Sequence, residues 1–282
     1  MKTVTIDQHT LPAIGLGTWH LGDSAATRSR EIDALNAGLD AGATVIDTAE
    51  MYGNGRSERL IGEAISKRKR DELYLISKVL PENASAQQLP RSLDRSLKAL
   101  NIDYLDLYLL HWRGSVPLSE TVTALEDAKR AGKIRAWGVS NFDVDDMEDL
   151  LTVPNGNHVA ANEVLVNLQN RGTLFDLLPW HQAHNIPTIA YSPIAQGDTL
   201  GANLLANATL KQVAAAHQTS VFAIMLAWVI QLPQVMAIPE SGTIAHATEN
   251  VHTINLQLTQ SELQAITKAF PTPTKKEPLA VI

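Results

Sequence analysis

The sequence contains no cysteine among its 282 residues. This absence excludes disulfide-stapled scaffolds, thiol nucleophiles, iron–sulfur clusters and cysteine-ligated zinc sites. It also fits a reducing compartment, and we predict a cytoplasmic protein. The first ten residues, MKTVTIDQHT, are mixed and polar, so we expect no signal peptide. The longest apolar run, residues 221–230, is about half as long as a bilayer crossing requires.

Positive charge is also scarce in this chain. It has 30 acidic and 23 basic residues and a formal net charge of −7. Because a broad phosphate-binding surface needs the opposite balance, we expect no nucleic-acid partner. The short apolar runs likewise predict no membrane partner. The 16 glycines and 13 prolines form no low-complexity tract, which argues against disorder and linker-rich architectures.

The sequence does contain eight short apolar runs, separated by segments with a hydrophobic period near 3.6 residues. Nearly continuous apolar runs are typical of strands covered on both faces of a parallel sheet. The predicted strands are residues 13–17, 44–47, 73–78, 105–111, 134–140, 159–164, 188–191 and 235–239. The helical segments include residues 31–41, 57–67, 86–100 and 118–131. This alternation predicts one α/β domain over residues 1–282, a closed (β/α)8 TIM barrel.

A doubly wound sheet is the main alternative fold. It usually carries the pattern G-x-G-x-x-G between its first strand and first helix. Here residues 15–20 read GLGTWH, with His20 where the third glycine would be, which favours the barrel. Residues 4–11 hold a turn-like Asp7-Gln8-His9 between apolar positions, and they predict a small hairpin that caps the bottom of the barrel.

Polar, titratable residues end three consecutive predicted strands. They are Asp47, Lys78 and His111, and Tyr52 follows Asp47 by five positions. Each alone has an ordinary explanation, such as a helix cap or a strand-end residue. Together they indicate a reaction site, because strand interiors favour apolar side chains and barrel enzymes place their chemistry at the C-terminal ends of strands.

The chemistry of this set is consistent with proton donation to a carbonyl oxygen. A tyrosine has a pKa of about 10, and a neighbouring ammonium such as Lys78, held by Asp47, would lower it. Tyr52 could then act as a general acid while His111 donates a hydrogen bond to the same oxygen. With no metal-ligand set and no thiol in the sequence, a hydride from an organic cofactor is the simplest attacking species.

Six motifs resemble those of the aldo-keto reductases. They are IDTAEMYG at 46–53, ISK at 76–78, LLHW at 109–112, GVSNF at 138–142, AYSP at 190–193 and AIP at 237–239. Their order and spread cover nearly the whole chain, from residue 11 to about residue 250. Within the family, residues 104–112 and 170–180 are similar to bacterial methylglyoxal-reductase-type members.

The resemblance implies reduction of aldehydes or reactive ketones, such as 2-oxoaldehydes, to alcohols with NADPH or NADH. It implies a catalytic tetrad of Asp47, Tyr52, Lys78 and His111, with Tyr52 as the proton donor. A small-molecule carbonyl compound would be the partner, and a monomer is expected.

The resemblance also implies two sets of binding residues. The substrate pocket would be lined by Trp19, Met51 and Trp112. Tyr191 would stack on the nicotinamide ring, and Ser140 and Asn141 would hold its carboxamide. The full cofactor set would be Gly17, Thr18, Ser140, Asn141, Glu163, Tyr191, Ser192, Pro193, Ile194, Gln196, Gly197, Ile238, Glu240, Ser241, His246, Glu249 and Asn250.

Two departures from the family pattern concern the cofactor. Glu163 occupies a position where glutamine is common in the family. Either this replacement changes how the cofactor is bound, or the Glu163 side chain is protonated or points towards another basic group. Glu240 and His246 replace the lysine and arginine that hold the 2′-phosphate of NADPH, so we predict a weakened or reversed preference for NADPH. The alternative is that Glu240 points into solvent while neighbouring side chains still bind the phosphate.

Two other functions remain open at this point. Lys78 could act as a Schiff-base nucleophile in a lyase, although Asp47 would keep it charged. The barrel could also bind the cofactor as a redox sensor or regulatory subunit with little turnover. Finally, the proline-rich residues 270–276 either close over the pocket or stay exposed, and we favour exposure.

Overall fold

The structure is a computed structural model that describes residues 1–195 and 202–282. Its strands are β1 Thr3–Ile6, β2 His9–Pro12, β3 Leu16–Gly17, β4 Val45–Asp47, β5 Tyr74–Val79, β6 Leu105–Leu110, β7 Ile134–Ser140, β8 Asn162–Leu165, β9 Thr188–Tyr191 and β10 Val235–Ala237. Its helices are α1 Arg28–Asp40, α2 Arg56–Ala64, α3 Leu89–Leu100, α4 Leu118–Arg130, α5 Val144–Thr152, α6 Leu177–His184, α7 Ala202–Ala206, α8 Ala208–Ala216, α9 Val221–Gln231, α10 Ile244–His252 and α11 Gln260–Ala269.

Strands β3 to β10 form one parallel sheet in chain order. The sheet closes on itself because the segment around β3 also bonds to β10: Gly15 N donates to Ala237 O at 2.9 Å, and Gly17 N donates to Pro239 O at 3.0 Å. A Cβ atom at Gly17 would lie 2.5 Å from Ile238 O, so this close approach requires glycine. The predicted (β/α)8 barrel is confirmed.

The barrel strands are buried on both faces, which explains why they appear as apolar runs in the sequence. Every residue of β5 and β6 is buried, because the barrel interior covers one face and the helices cover the other. Helix α3 shows the complementary pattern: its buried Leu89, Leu93, Leu97 and Leu100 recur at three- and four-residue spacings along one face.

The predicted element bounds differ from the observed ones in a few places. The run at 159–164 becomes a strand only from Asn162, and the first barrel strand is reduced to Leu16–Gly17 because residues 13–15 make isolated bridge bonds to β10. Helix α2 ends at Ala64, earlier than the predicted residue 67.

The N-terminal hairpin is confirmed. Strands β1 and β2 pair antiparallel, and Asp7 and Gln8 make the turn with φ values of 41° and 67°. His9 belongs to β2, where its ring contacts that of Tyr74 at 5.6 Å. Because Tyr74 is the first residue of β5, the hairpin lies at the N-terminal end of the barrel strands, opposite the predicted reaction site.

Among the described residues, no single helix has the length and apolar character to cross a membrane. Helices α8 and α9 meet those criteria only when taken together, and they are bent by 91° relative to each other. Most of α9 is buried in the protein core, and the buried residues run from Ala223 to Ile230.

Candidate active site

A cavity of about 690 Å³ opens at the C-terminal ends of the barrel strands. Its size is within the range of about 300–1,000 Å³ that is usual for small-molecule sites. The cavity is lined by the last residues of β3, β4, β7 and β9, which are Gly17, Asp47, Ser140 and Tyr191, and by Glu163 within β8.

Lys78 connects the predicted catalytic residues at one side of this cavity. The side chain is fully buried, and its Nζ atom lies 2.5 Å from Asp47 Oδ1, 3.1 Å from Tyr52 Oη and 3.0 Å from Thr48 O. The barrel register produces this cluster, since Asp47 pairs with Ile76, whose side chain shares a strand face with that of Lys78. The ammonium therefore has a partner for each of its three hydrogens.

Tyr52 reaches the cluster from a short 3-10 turn, Tyr52–Asn54, which follows β4. Burial raises the pKa of Tyr52 above its ordinary value, and the nearby Lys78 opposes this effect without reversing it. Lys78 thus lowers the pKa of Tyr52, as the sequence predicts, but burial outweighs it and the net shift is upward. Burial lowers the pKa of Lys78, but the charge of Asp47 and its hydrogen bond to Lys78 raise it further, so the amine is charged.

His111 follows β6 directly, and its ring lies edge-on to Tyr52 with 5.9 Å between the ring centres. Burial, together with the charge of Lys78, lowers the pKa of His111 to about 3. The imidazole is therefore neutral at ordinary pH and has one N–H to donate. Its Nδ1 atom is buried and has no hydrogen-bond partner within the described part of the chain.

Glu163 is a further member of this cluster. Its side chain is 2% exposed, and its Oε1 atom lies 3.3 Å from Lys78 Nζ. Glu163 is predicted from the sequence as a cofactor contact, but its contact with Lys78 is not. That contact depends on how β8 faces β5 across the barrel, which no local sequence pattern encodes.

A hydrogen-bonded group fixes the wall next to Glu163. Tyr191 Oη donates to Asn141 Oδ1 at 2.9 Å, and Asn141 Nδ2 donates to His111 O at 3.1 Å. Ser140 Oγ donates to Glu163 O at 2.9 Å. Asn141 has a φ of 59°, a conformation that asparagine tolerates better than most residues. The group holds the Tyr191 ring in a defined position on the cavity wall.

Glu240 lies just after β10 and is bound to the loop that follows β3. Its Oε2 atom accepts a hydrogen bond from His20 N at 2.8 Å, and its Oε1 atom lies 3.3 Å from His20 Nδ1. Glu240 is thus held against this loop with 30% of its side chain exposed, and the alternative in which neighbouring side chains bind the phosphate stays a prediction. Ser241 Oγ donates to Thr243 O, and Thr243 Oγ1 accepts from His246 N at the start of α10.

The predicted substrate residues Trp19, Met51 and Trp112 all line the cavity. Trp19 stacks on His20 with 4.6 Å between the ring centres, and Trp112 lies 4.8 Å from His111. These side chains make the mouth of the cavity largely apolar.

The C-terminal segment is mostly exposed, as expected for residues 270–276, but its last residue reaches the cavity. Ile282 contributes to the cavity lining. Upstream of it, Lys276 Nζ lies 3.1 Å from Asp143, 3.6 Å from Asp145 and 3.7 Å from Asp176. Although most of its residues are exposed, these ion pairs attach the segment to the starts of α5 and α6.

Comparison with known proteins decides the family. The model of the aldo/keto reductase family matches residues 13–270. The chain belongs to the aldo-keto reductase family.

Relatives within this family are similar over almost the full chain. Methylglyoxal reductase YeaE of Escherichia coli (strain K12) is 47% identical over 273 residues, covering 97% of this chain and 96% of the relative. An aldo-keto reductase from Klebsiella pneumoniae, crystallised in complex with NADPH, is 45% identical with a TM-score of 0.97, covering 100% of this chain and 99% of the other. A second Klebsiella pneumoniae structure, with NADP and acetate, has a TM-score of 0.98 at 45% identity, with the same coverage.

The other predicted cofactor residues of this aldo-keto reductase surround the same cavity. They are Gly17, Thr18, Ser192, Pro193, Ile194, Ile238, Ser241, His246, Glu249 and Asn250. Gln196 and Gly197 lie outside the described residues. The cavity also includes His20, Phe222, Pro239 and Gly242, which the sequence analysis did not select. Phe222 could not be singled out from the sequence, because it is one of many apolar residues in the run that forms α9.

Proposed function

We propose that the protein reduces aldehydes and reactive ketones, 2-oxoaldehydes such as methylglyoxal among them, to alcohols with a nicotinamide cofactor. The observation that carries this proposal is the 3.1 Å contact between Lys78 Nζ and Tyr52 Oη beside a cavity at the C-terminal ends of the barrel strands. Two groups of relatives support it: the similar enzymes named methylglyoxal reductases and the similar structures that hold NADPH or NADP.

The residues that surround the cavity fit such a cofactor. Glu163 Oε2 is a buried polar atom without a hydrogen-bond partner in the described residues, and Glu163 lines the cavity. Tyr191 offers a fixed aromatic ring beside it. Ser140, Asn141 and Tyr191 would hold the nicotinamide end, and residues around Glu240 and Asn250 would hold the adenosine end. When bound, the cofactor supplies a hydride.

The chain itself supplies the proton and the stabilisation of charge. Tyr52 keeps its proton until negative charge develops on a nearby carbonyl oxygen, because its pKa is raised in the resting site. It then donates that proton, and the Lys78 ammonium stabilises the phenolate that remains. The neutral His111 donates a hydrogen bond to the same oxygen and orients it.

The cavity mouth favours small, apolar carbonyl compounds. Trp19, Met51 and Trp112 provide aromatic and thioether surface in the cavity that Tyr52 also lines. Small aldehydes and aryl aldehydes are therefore the proposed substrate class. We further propose that Glu240 weakens the preference for NADPH, since a carboxylate fixed on the cavity wall would repel a 2′-phosphate bound near it.

The Schiff-base alternative is disfavoured by the state of Lys78. All three ammonium hydrogens have partners, and the raised pKa keeps the nitrogen protonated, so it has no lone pair for attack on a carbonyl. The redox-sensor alternative predicts a protein that binds the cofactor but reduces carbonyl compounds very slowly. The rate measurement described next tests this alternative.

The test is the initial rate of reduced-cofactor oxidation with methylglyoxal and a panel of small aldehydes. We expect Tyr52→Phe to lower kcat/KM by about 10²- to 10⁴-fold while cofactor binding, followed by fluorescence, is unchanged. Tyr104→Phe is the control, because Tyr104 lies near Arg70 and Arg135 and away from the cavity. A Tyr52→Phe variant with wild-type rates would refute the role of Tyr52. Tight cofactor binding without turnover in the wild type would favour the sensor.

A further inference from the structure

Two buried carboxyl groups share the single ammonium of Lys78. Lys78 Nζ lies 2.5 Å from Asp47 Oδ1 and 3.3 Å from Glu163 Oε1, and the three side chains are 0%, 2% and 2% exposed. Within residues 1–195 and 202–282, no other cation forms an ion pair with either carboxyl. Because an uncompensated buried charge is costly, one positive charge cannot support two carboxylates here, and one carboxyl holds a proton.

The contacts assign this proton to Glu163. Both carboxyls contact the same ammonium, so the one with the weaker contact is the better site for the proton. Asp47 has the shorter contact with Lys78 and so is the better stabilised anion. Burial and the charge of Asp47 raise the pKa of Glu163 well above its ordinary value.

We propose that Glu163 is the internal proton source that restores Tyr52 after each turnover, with Lys78 as the carrier. The proposal rests on the proposed function. The distances allow it, because Lys78 Nζ lies between Glu163 Oε1 at 3.3 Å and Tyr52 Oη at 3.1 Å. Glu163 is a positioning and proton-supplying residue here, in addition to any contact with the cofactor.

Each turnover moves three protons in succession. Tyr52 gives its hydroxyl proton to the carbonyl oxygen, while the carbonyl carbon receives the hydride that the cofactor gives up. Lys78 then gives an ammonium proton to the Tyr52 phenolate, and Glu163 gives its carboxyl proton to the Lys78 amine. The product alcohol contains one hydride and one proton, and Glu163 remains as a carboxylate. Its new negative charge offsets the positive charge that loss of a hydride leaves on the cofactor, so the buried site keeps its net charge. Glu163 regains a proton from water when the cofactor exchanges.

The surroundings of Glu163 make this proton sensitive to charge in the cavity. The titratable groups that face it are Asp47 of β4, Lys78 of β5, Tyr52 of the turn after β4 and Tyr191 of β9. Burial raises the pKa of both tyrosines, so they are neutral at ordinary pH. Among these four groups, Asp47 and Lys78 therefore carry the charges, and they offset each other. A positive charge introduced beside Glu163 favours its ionisation.

The decisive measurement is proton release on cofactor binding, followed with an indicator dye in weakly buffered solution near neutral pH. We expect the wild type to release about one proton per site on binding NAD⁺ or NADP⁺, and essentially none on binding the reduced forms. Glu163→Gln keeps the shape and a hydrogen-bond donor but has no acid proton, so it should release none with either form. Glu58→Gln is the matched control, because Glu58 is also buried with a raised pKa but is bound to Ser77 outside the cavity lining. It should behave like the wild type.

Kinetics supply a second readout. We expect Glu163→Gln to slow a single turnover less than it slows steady-state turnover, because Tyr52 already holds the first proton. Its steady-state kcat should fall about ten- to a hundredfold, because Tyr52 must then be restored from water. Equal proton release by wild type and Glu163→Gln, or none by the wild type, would overturn the relay, as would an unchanged steady-state kcat. If one of these results is found while turnover still depends on Tyr52, the relay is refuted and the proposed function stands. If the wild type binds the cofactor but reduces no carbonyl compound, the proposed function itself is refuted.

Discussion

Glu240 and His20 join the two edges at which the barrel closes. The Glu240 carboxylate accepts a hydrogen bond from the backbone amide of His20 at 2.8 Å and lies 3.3 Å from its ring. Burial raises the pKa of Glu240, and the contacts with His20 oppose that shift. A carboxylate is thereby held at the cavity wall, near the start of α10, where the adenosine end of the cofactor is proposed to bind.

The first prediction concerns cofactor choice. Glu240→Lys removes the negative charge and adds a positive one, so the ratio of kcat/KM with NADPH to that with NADH should rise about ten- to a hundredfold. Glu240→Gln should give an intermediate ratio, because it only neutralises the charge. Glu148→Lys on the exposed face of α5 makes the same charge change far from the cavity and should leave the ratio unaltered. A wild type with a hundredfold preference for NADPH would contradict the proposed role of Glu240.

The fold could be predicted from the sequence because it depends on local patterns. Apolar runs mark strands that are buried on both faces, and the polar residues at their ends, such as Asp47 and Lys78, mark one end of the barrel. The contacts that refine the site are not local. Glu240 meets a residue 220 positions away, and Glu163 meets Lys78 from another part of the barrel wall. The raised pKa of Tyr52 likewise follows from burial, which residue types alone do not give.

The second prediction concerns the C-terminal segment. Lys276→Met removes the ion pairs to three aspartates and should loosen the segment whose last residue lines the cavity. Because exposed ion pairs contribute about 0.2–1 kcal/mol, we expect the KM for aldehydes to rise about two- to fivefold. Added salt should raise the KM of the wild type and have less effect on the variant.

Lys275→Met is the control for this prediction. Lys275 is an exposed neighbour without an ion pair in the described part of the chain, so its loss should leave KM and its salt dependence unchanged. Equal effects of both substitutions would show that the ion pairs of Lys276 do not hold the segment.

The third prediction concerns acid stability and a histidine outside the site. His181 of α6 is 2% exposed and contacts Asn162 at 3.1 Å and Thr188 at 2.8 Å. Burial, and to a smaller extent the nearby His184, lowers the pKa of His181 to about 4. An unfolded histidine has a pKa of about 6.5, so between these values the unfolded chain binds a proton that the folded chain does not. The free energy of unfolding therefore falls as pH decreases from 6.5 towards 4.

His181→Gln should remove this part of the pH dependence. Between pH 7 and pH 5, we expect the variant to lose about 2 kcal/mol less unfolding free energy than the wild type, measured by urea denaturation. His111 titrates still lower and should leave a residual slope in both proteins. His252→Gln, at an exposed position of α10, should lose as much as the wild type. If His181→Gln followed the wild-type curve, the imidazole would have to be protonated in the folded protein, and its neutral, buried hydrogen bonds would need reassignment.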